Sequence, residues 1–328
     1  MTQIALFLAT SSTRSGIVAF FLFLLGPITS NYFADSSEIT SLLFFSVFQS
    51  LSSLMALAIS GFIVLVDGFS LRRLSSLLPI ISIVILALFF SKVTTLVFVF
   101  FITTFFAWVL RHWSSWVFLL KMNLVVCILT SFLGPFFYND LLTDMSRMLD
   151  IVFSDSTLRV KEINPSEMIF DDDTRMAIVN GVVTLIQGLI SLLAVLIARN
   201  WQAKAINPGG FKTEFEAIRL PIQFSLLCLT LVIAPSIVSF TGSLGNVILI
   251  SLMPALIQIS FASEIPLIFA GIALVHGLSS QRKSKFLLVL FYTLLFLPIF
   301  NFYMLMLLVL VATADSFFNF RKLNELNH

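Results

Sequence analysis

The chain has little charge and few of the side chains that carry catalytic chemistry. Only 11% of its 328 residues are charged, whereas about a quarter are charged in soluble domains. Its three histidines, His112, His276 and His328, stand in no metal-ligand spacing. The sequence also has no glycine-lysine phosphate loop and no Gly-x-Ser-x-Gly motif. We therefore expect that the protein is not an enzyme, has no ATPase activity of its own and uses no cofactor or metal.

Cysteine and net charge are similarly low. Cys127 and Cys228 both lie inside apolar runs, which predicts two buried thiols and no structural disulfide. A formal net charge of +2 is too small to indicate nucleic acid as a partner. No polar stretch between apolar runs is long enough for an independent domain, so we expect residues 1–328 to form a single integral membrane domain.

What the chain has in abundance is long apolar runs. Hydrophobic residues make up 59% of it and the mean hydropathy is +1.04. This predicts an all-α polytopic transmembrane helix bundle with about eight to ten membrane segments. The predicted spans are 17–28, 39–66, 74–90, 93–110, 113–137, 176–198, 222–240 and 247–278. The last run, 286–318, would be about 50 Å long as one helix against a hydrocarbon core of about 30 Å. A hairpin of two short helices is favoured for it, and one kinked span is the alternative.

A basic, turn-rich stretch at 199–221 gives the orientation. Its four basic residues predict a cytoplasmic loop, which also places the N-terminus in the cytoplasm. The sequence Asn-Pro-Gly-Gly at 207–210 breaks the helix, and Thr213 with Glu216 predicts a capping box for a new one. Residues of this loop that we expect to dock a partner protein are Trp201, Asn207, Pro208, Gly209, Gly210, Phe211 and Arg219. The acidic stretch 138–173 lies on the other side, and its spacing predicts an amphipathic surface helix.

Polar or small residues follow one face of several spans. In the sixth span they are Asn180, Thr184, Gln187, Gly188 and Ser191; the fifth contributes Asn123 and the second Gln49. Lipid offers polar groups no partner, so these faces should point into the bundle. They indicate either close helix packing with hydrogen bonds between helices or a polar cavity that binds a ligand.

Glu264 is the most informative charged residue within a predicted span. An acidic side chain near the middle of a membrane helix, two residues before Pro266, would hold a cation, a proton or an amine. The alternative is a helix break whose carboxylate is satisfied by Ser260, Ser263 or a neighbouring helix. His276 is expected at the interface rather than as a ligand, and Asp315 is expected to pair with Arg321 or Lys322.

Three separated stretches carry a resemblance to a known family. They are residues 201–221 with Trp-Gln-Ala, Asn-Pro-Gly-Gly-Phe, Glu-Phe and Arg-Leu-Pro; residues 270–278; and residues 315–321. In these stretches the chain resembles the YybS-like predicted membrane proteins of bacteria, a family without a settled activity. The resemblance implies a bacterial cytoplasmic membrane and a helix arrangement similar to the substrate-binding membrane subunits of energy-coupling-factor vitamin transporters.

Two functional hypotheses follow. The first is a transporter-type protein that binds a small solute or lipid-like ligand between its helices and depends on an ATPase module or a coupling ion. The second is an assembly or envelope-biogenesis factor that acts through its cytoplasmic loop and transports nothing.

Overall fold

The computed structural model describes residues 8, 11–32, 39–68, 74–89, 94–139, 142, 143, 145, 146, 172–242, 251–282 and 284–321. Within these ranges the chain forms eleven helices and no strand. They are α1 (Ser12–Tyr32), α2 (Ile39–Asp67), α3 (Leu74–Phe89), α4 (Thr94–Trp113), α5 (Trp116–Phe137), α6 (Asp172–Ile206), α7 (Gly210–Glu216), α8 (Ile222–Gly242), α9 (Met253–Gln281), α10 (Lys285–Phe296) and α11 (Pro298–Phe318).

Most of the helices have the length and composition of membrane spans. In the described part of the chain, seven are apolar and long enough to cross a bilayer: α2, α4, α5, α6, α8, α9 and α11. Two shorter apolar helices cover Ser12–Leu24 and Lys285–Phe296. Prolines lie inside α3, α5, α8 and α9, which membrane helices tolerate better than soluble ones. The predicted all-α membrane bundle is confirmed.

The predicted spans coincide with helices, and one helix is longer than expected. Hydropathy ended the sixth span at Ala198, but α6 continues for two further turns to Ile206. The extension is held by polar contacts, since Arg199 Nη1 donates to Gln202 Oε1 over 2.6 Å. A segment whose charged and polar side chains bond to one another continues a helix beyond its apolar run, which hydropathy alone does not detect.

The C-terminal run forms the hairpin. Leu297 has extended backbone angles (φ −76°, ψ 121°) and separates α10 from α11. The chain then returns, because Gln281 Nε2 at the end of α9 donates to the Arg321 carbonyl oxygen beyond α11, over 3.2 Å. A single kinked span would carry Arg321 away from Gln281, so that alternative is wrong.

The predicted amphipathic helix at 138–173 lies almost entirely outside the described residues. Of its first residues, Tyr138 is buried and its hydroxyl donates to the Thr130 carbonyl oxygen over 3.4 Å. The remainder of the segment stays a prediction.

The helices divide into two compact units. The first comprises Met1–Leu119 and Gln187–Glu214; α1 packs on α2 and α3, and α2 packs on α4. Its core includes Phe23 and Phe100, which meet edge to face with centroids 5.8 Å apart. The second comprises Leu120–Ile186 and Phe215–His328; there α9 packs on α8 and α11, and α11 also contacts α10.

Candidate functional site

Asn180 connects two helices of the second unit. Its Nδ2 donates to the main-chain oxygen of Ser131, so α6 is hydrogen-bonded to α5 inside the apolar bundle. This bond is the packing role that the polar faces predicted. It also fixes the orientation of the carboxamide, whose second polar atom, Oδ1, then points away from the Ser131 carbonyl.

Several buried polar atoms on the same two helices are unsatisfied. Asn180 Oδ1, Thr184 Oγ1 and both carboxamide atoms of Asn123 have no hydrogen-bond partner among the residues that the structure describes. All three side chains are at most 1% exposed. Each such atom costs about 1–3 kcal/mol when it is buried without a partner. Close packing alone does not explain why the chain keeps them.

Glu264 lies in the same unit, close to where α9 approaches α6. A Cβ atom added at Gly181 would lie 2.2 Å from Phe261 Cδ2, so the two helices are in tight contact there. Glu264 follows Phe261 by one helical turn, and Asn180 directly precedes Gly181. Of the alternatives considered for Glu264, satisfaction of its carboxylate by Ser260 or Ser263 is not supported. Both hydroxyls donate to main-chain oxygens of their own helix, those of Ile257 and Ile259, each over 2.8 Å.

The other two predicted ligand residues belong to the first unit. Gln187 is buried, and neither of its carboxamide atoms has a partner within the described ranges. Gln49 is only half-buried, and its main-chain oxygen accepts from the Ser52 hydroxyl over 3.0 Å. The six residues predicted to line one cavity are thus divided, with Asn123, Asn180, Thr184 and Glu264 in the second unit.

The basic loop is held by an ion pair. Arg199 donates from Nε and Nη2 to the two carboxylate oxygens of Glu214, over 3.1 and 2.7 Å, and so fixes α7 against the end of α6. Between them, Asn207, Pro208 and Gly209 are exposed, and Gly209 has a φ of +95° that only glycine adopts easily. Trp201, in contrast, is buried at 4% exposure.

The predicted capping box is wrong. Helix α7 begins at Gly210, so Thr213 lies inside it and its hydroxyl donates back to the Gly210 carbonyl oxygen over 2.8 Å. The helix begins at Gly210, three residues before the start that Thr213 predicted. Gly209, with its positive φ, forms the turn before it, in which the Gly210 amide donates to the Asn207 carbonyl oxygen.

Arg219 and Arg321 hydrogen-bond to main-chain oxygens at one end of the second unit. Arg219 donates to the main-chain oxygens of Asp315 and Ser316, and Arg321 Nη2 donates to that of Ile218 over 2.7 Å. We call these five residues the C-terminal clasp. The predicted pairing of Asp315 with Arg321 is confirmed at 3.8 Å. Burial lowers the pKa of Arg321, and the charge of Arg219 lowers it further. The carboxylates of Asp315 and Glu216 act in the opposite direction and raise it.

The three stretches that carry the family resemblance come together at the clasp. Residues 215–221 supply Ile218 and Arg219, residues 315–321 supply Asp315, Ser316 and Arg321, and Gly277 belongs to the third stretch. A Cβ atom at Gly277 would lie 3.3 Å from the Glu216 carbonyl oxygen and 3.5 Å from Arg321 Nε. These stretches therefore have a shared structural role at one end of the second unit.

His276 makes a contact that sequence reasoning missed. Its Nε2 lies 2.7 Å from the Tyr292 hydroxyl, and its ring meets that of Phe215 edge to face with centroids 5.4 Å apart. Tyr292 is one of four tyrosines in the chain and lies in α10, which hydropathy had marked only as apolar. Its rarity is the one signal in the sequence that could have singled it out.

For binding chemistry, the second unit offers the unsatisfied oxygen atoms of Asn180 and Thr184, the Asn123 carboxamide and the Glu264 carboxylate. The described residues contain no cluster of three His, Cys, Asp or Glu side chains that could hold a metal ion. Comparison with protein-family models, with curated proteins and with solved structures gives no match for this chain.

Proposed function

We propose that this integral membrane protein is of transporter type and binds a small ligand between the helices of its second unit. The observation that carries the proposal is the group of buried, unsatisfied polar atoms on Asn123, Asn180 and Thr184. Lipid cannot satisfy them, and a membrane protein that only packed its helices would do better with apolar residues there. A bound ligand would supply the missing partners.

The atoms also limit the kind of ligand. Asn123 offers an NH2 donor group and an acceptor oxygen, and Asn180 offers an acceptor oxygen, one hydrogen of its amide being committed to Ser131. A ligand that satisfies both carries hydrogen-bond donors together with at least one acceptor. A small polar solute or a lipid headgroup meets this description, whereas an acyl chain would leave every one of these atoms unsatisfied.

A transporter of this kind needs an energy source from outside the chain, for which we propose an ATPase module or a coupling ion. The exposed turn at Asn207, Pro208 and Gly209 is the proposed docking position for such a module, since the Arg199–Glu214 ion pair holds it in place. This arrangement agrees with membership of the YybS-like family in a bacterial cytoplasmic membrane, which we propose on the resemblance of its three stretches.

Native extraction followed by mass spectrometry tests the proposal. The full chain would be purified in a mild detergent, and small molecules released on denaturation would be compared with those from Asn123→Leu and Asn180→Leu. The matched control is Thr230→Val in α8, whose exposed hydroxyl donates only to the Leu226 carbonyl oxygen of its own helix. We expect one compound with the native chain and the control, and its loss from both asparagine variants. Equal retention by all four proteins would overturn the proposal.

The second candidate function is that of an assembly or envelope-biogenesis factor. It is favoured by the same exposed turn, because Pro208 and the positive φ of Gly209 give this turn a fixed shape of the kind a protein partner recognises. Under this alternative, cross-linking from Asn207 would capture only structural or biosynthetic partners, and no small molecule would co-purify. Capture of an ATPase together with a retained solute would exclude it.

A further inference from the structure

Glu264 is an acidic side chain within an apolar helix of membrane-spanning length. It lies in α9, and its side chain makes no hydrogen bond or ion pair with any residue that the structure describes. The two serines nearest to it in sequence donate to main-chain oxygens instead. A charged group in this position is costly in lipid and is retained in membrane proteins chiefly where it is used.

Helix α6 carries oxygen-bearing side chains on either side of its contact with α9. Helices α6 and α9 meet at Gly181 and Phe261. Both spans end in basic residues predicted to be cytoplasmic, so they run in the same direction through the membrane. Thr184 and Glu264 each follow the contact by three residues, and Asn180 precedes it by one. The unsatisfied atoms of Asn180 and Thr184 include two acceptor oxygens, Oδ1 and Oγ1.

We propose that Glu264, together with the side-chain oxygens of Asn180 and Thr184, holds a monovalent cation. The cation is either an alkali-metal ion or the ammonium group of an organic ligand, which present the same charge and the same demand for oxygen partners. This inference rests on the proposed function, since it names the charge of what the same site binds.

The charge balance selects a monovalent ion over a divalent one. One carboxylate neutralises one positive charge, whereas a divalent ion would keep an uncompensated charge in a medium of low dielectric constant. Calcium takes six to eight oxygen ligands, often with several carboxylates. Within the described residues Glu264 belongs to no group of three or more His, Cys, Asp or Glu side chains that could hold a metal ion. Neutral oxygens with a single carboxylate therefore fit a monovalent ion.

Thermal unfolding of the purified full chain in different salts tests this assignment. Sodium, potassium and methylammonium chloride would be compared with choline chloride at equal concentration, so that ionic strength is constant. A cation bound only by the folded state raises the melting temperature in proportion to the logarithm of its concentration above its dissociation constant. We expect a saturable rise of about 3 °C or more over choline for at least one of the three cations. A response to sodium or potassium identifies an ion site, and a response to methylammonium alone identifies an amine site.

Variants of Glu264 and its neighbour separate the site from general salt effects. Glu264→Gln keeps the shape of the side chain and should abolish the cation-dependent rise in melting temperature. Glu264→Asp should make this rise smaller without abolishing it. Ser260→Ala in the same helix is the matched control and should respond as the native chain does. Identical melting temperatures in all four salts, or an unchanged response of Glu264→Gln, would overturn the cation assignment.

The result is distinguishable from failure of the proposed function. If a neutral solute co-purifies with the native chain and no cation stabilises it, the cation assignment fails and the proposed function stands. If a cation stabilises the chain in a manner that depends on Glu264 and no organic ligand is retained, the cation site stands and the solute proposal fails.

Discussion

Arg219 donates from Nε to the main-chain oxygen of Asp315 over 2.9 Å, and from Nη2 to that of Ser316 over 2.8 Å, across 96 and 97 positions of sequence. These oxygens lie in the last turn of α11, where that of Asp315 also accepts from the Asn319 amide over 3.0 Å. The guanidinium donates to both oxygens and places a positive charge at the negative end of the helix dipole. The hairpin is thereby tied to the segment that precedes α8.

Replacement of Arg219 should loosen the hairpin. Hydrogen bonds from a charged donor contribute about 1.5–3 kcal/mol each, so Arg219→Ala should lower the melting temperature clearly. Arg219→Lys should recover only part of the loss, because an ammonium lacks the planar fork that reaches both oxygens. Arg282→Ala, an exposed arginine just beyond α9, is the control and should be near neutral. The measurement is the melting temperature of each variant in the same detergent. Equal melting temperatures for all three variants would show that the clasp adds no stability.

Arg111 repeats this role in the first unit. Its Nη1 donates to the main-chain oxygens of Val64 and Leu65 over 3.3 and 2.8 Å, at the end of α2. Gly68 follows with a φ of +78°, which ends that helix in a left-handed turn. Basic residues thus donate to main-chain oxygens at helix ends in both units, a role that the sequence did not predict.

The sequence predicted the spans well and the contacts of their ends poorly, for physical reasons. The length of an apolar run determines where a helix can lie in lipid. The predicted starts of α2, α3 and α8 therefore coincide with the observed ones. Which carbonyl oxygen an arginine reaches depends on tertiary packing, and main-chain oxygens leave no signature in the sequence. The pairing of Asp315 with Arg321 could be predicted because the two are close in sequence and opposite in charge.

The candidate site was only partly predictable for a similar reason. Helical spacing correctly indicated that Asn123, Asn180 and Thr184 are buried. It could not indicate that Asn180 would satisfy its amide on Ser131 and keep its oxygen unpaired, since that depends on the distance between α5 and α6. The serines beside Glu264 looked like partners in sequence, but helix geometry brings their hydroxyls to the carbonyl oxygens one turn earlier.

Removal of the Asn123 amide should stabilise the ligand-free protein. Neither polar atom of this fully buried side chain has a hydrogen-bond partner among the described residues, and leucine keeps the same branching at Cγ. Asn123→Leu should therefore gain about 1–3 kcal/mol by removing the desolvation penalty. The measurement is the melting temperature after extensive washing in detergent. A lower melting temperature would mean that the amide serves the fold rather than a ligand.

Ser131→Ala is the reference for that experiment. The Ser131 hydroxyl donates to the Ile128 carbonyl oxygen of its own helix over 2.8 Å, so its loss removes a satisfied polar group from the same helix. It should be neutral or slightly destabilising. Stabilisation confined to Asn123→Leu would show a polar group kept at the expense of stability, as is common at functional sites.

Two helical glycines should respond oppositely to alanine. A Cβ atom at Gly271 would lie 2.7 Å from the Leu308 main-chain oxygen, so α9 and α11 would have to separate. At Gly61 the nearest atom would be Ala198 Cβ at 3.5 Å, which is ordinary contact. Gly271→Ala should destabilise by about 1–3 kcal/mol, whereas Gly61→Ala should be neutral or gain up to about 1 kcal/mol from helix propensity. Similar shifts of melting temperature for both variants would contradict the tight α9–α11 contact.

The orientation of the chain in the membrane is open to a direct test. Single cysteines would be introduced at Asn207, Arg282 and Leu297 in a Cys127→Ala, Cys228→Ala background, since both native thiols are buried. Asn207 and Arg282 are exposed, and the basic residues around them predict a cytoplasmic position. A maleimide that cannot cross membranes should therefore label both in inside-out vesicles and neither in right-side-out vesicles.

The cysteine at Leu297 should stay unlabelled from the cytoplasmic face. It lies at the turn between α10 and α11, 12 residues from the start of α10, which is about 18 Å along a helix and so within a hydrocarbon core of about 30 Å. Labelling of Asn207→Cys and Arg282→Cys from opposite faces would contradict the shared cytoplasmic side. Labelling of both from the outer face would invert the bundle, and the exposed turn would then be out of reach of any cytoplasmic ATPase.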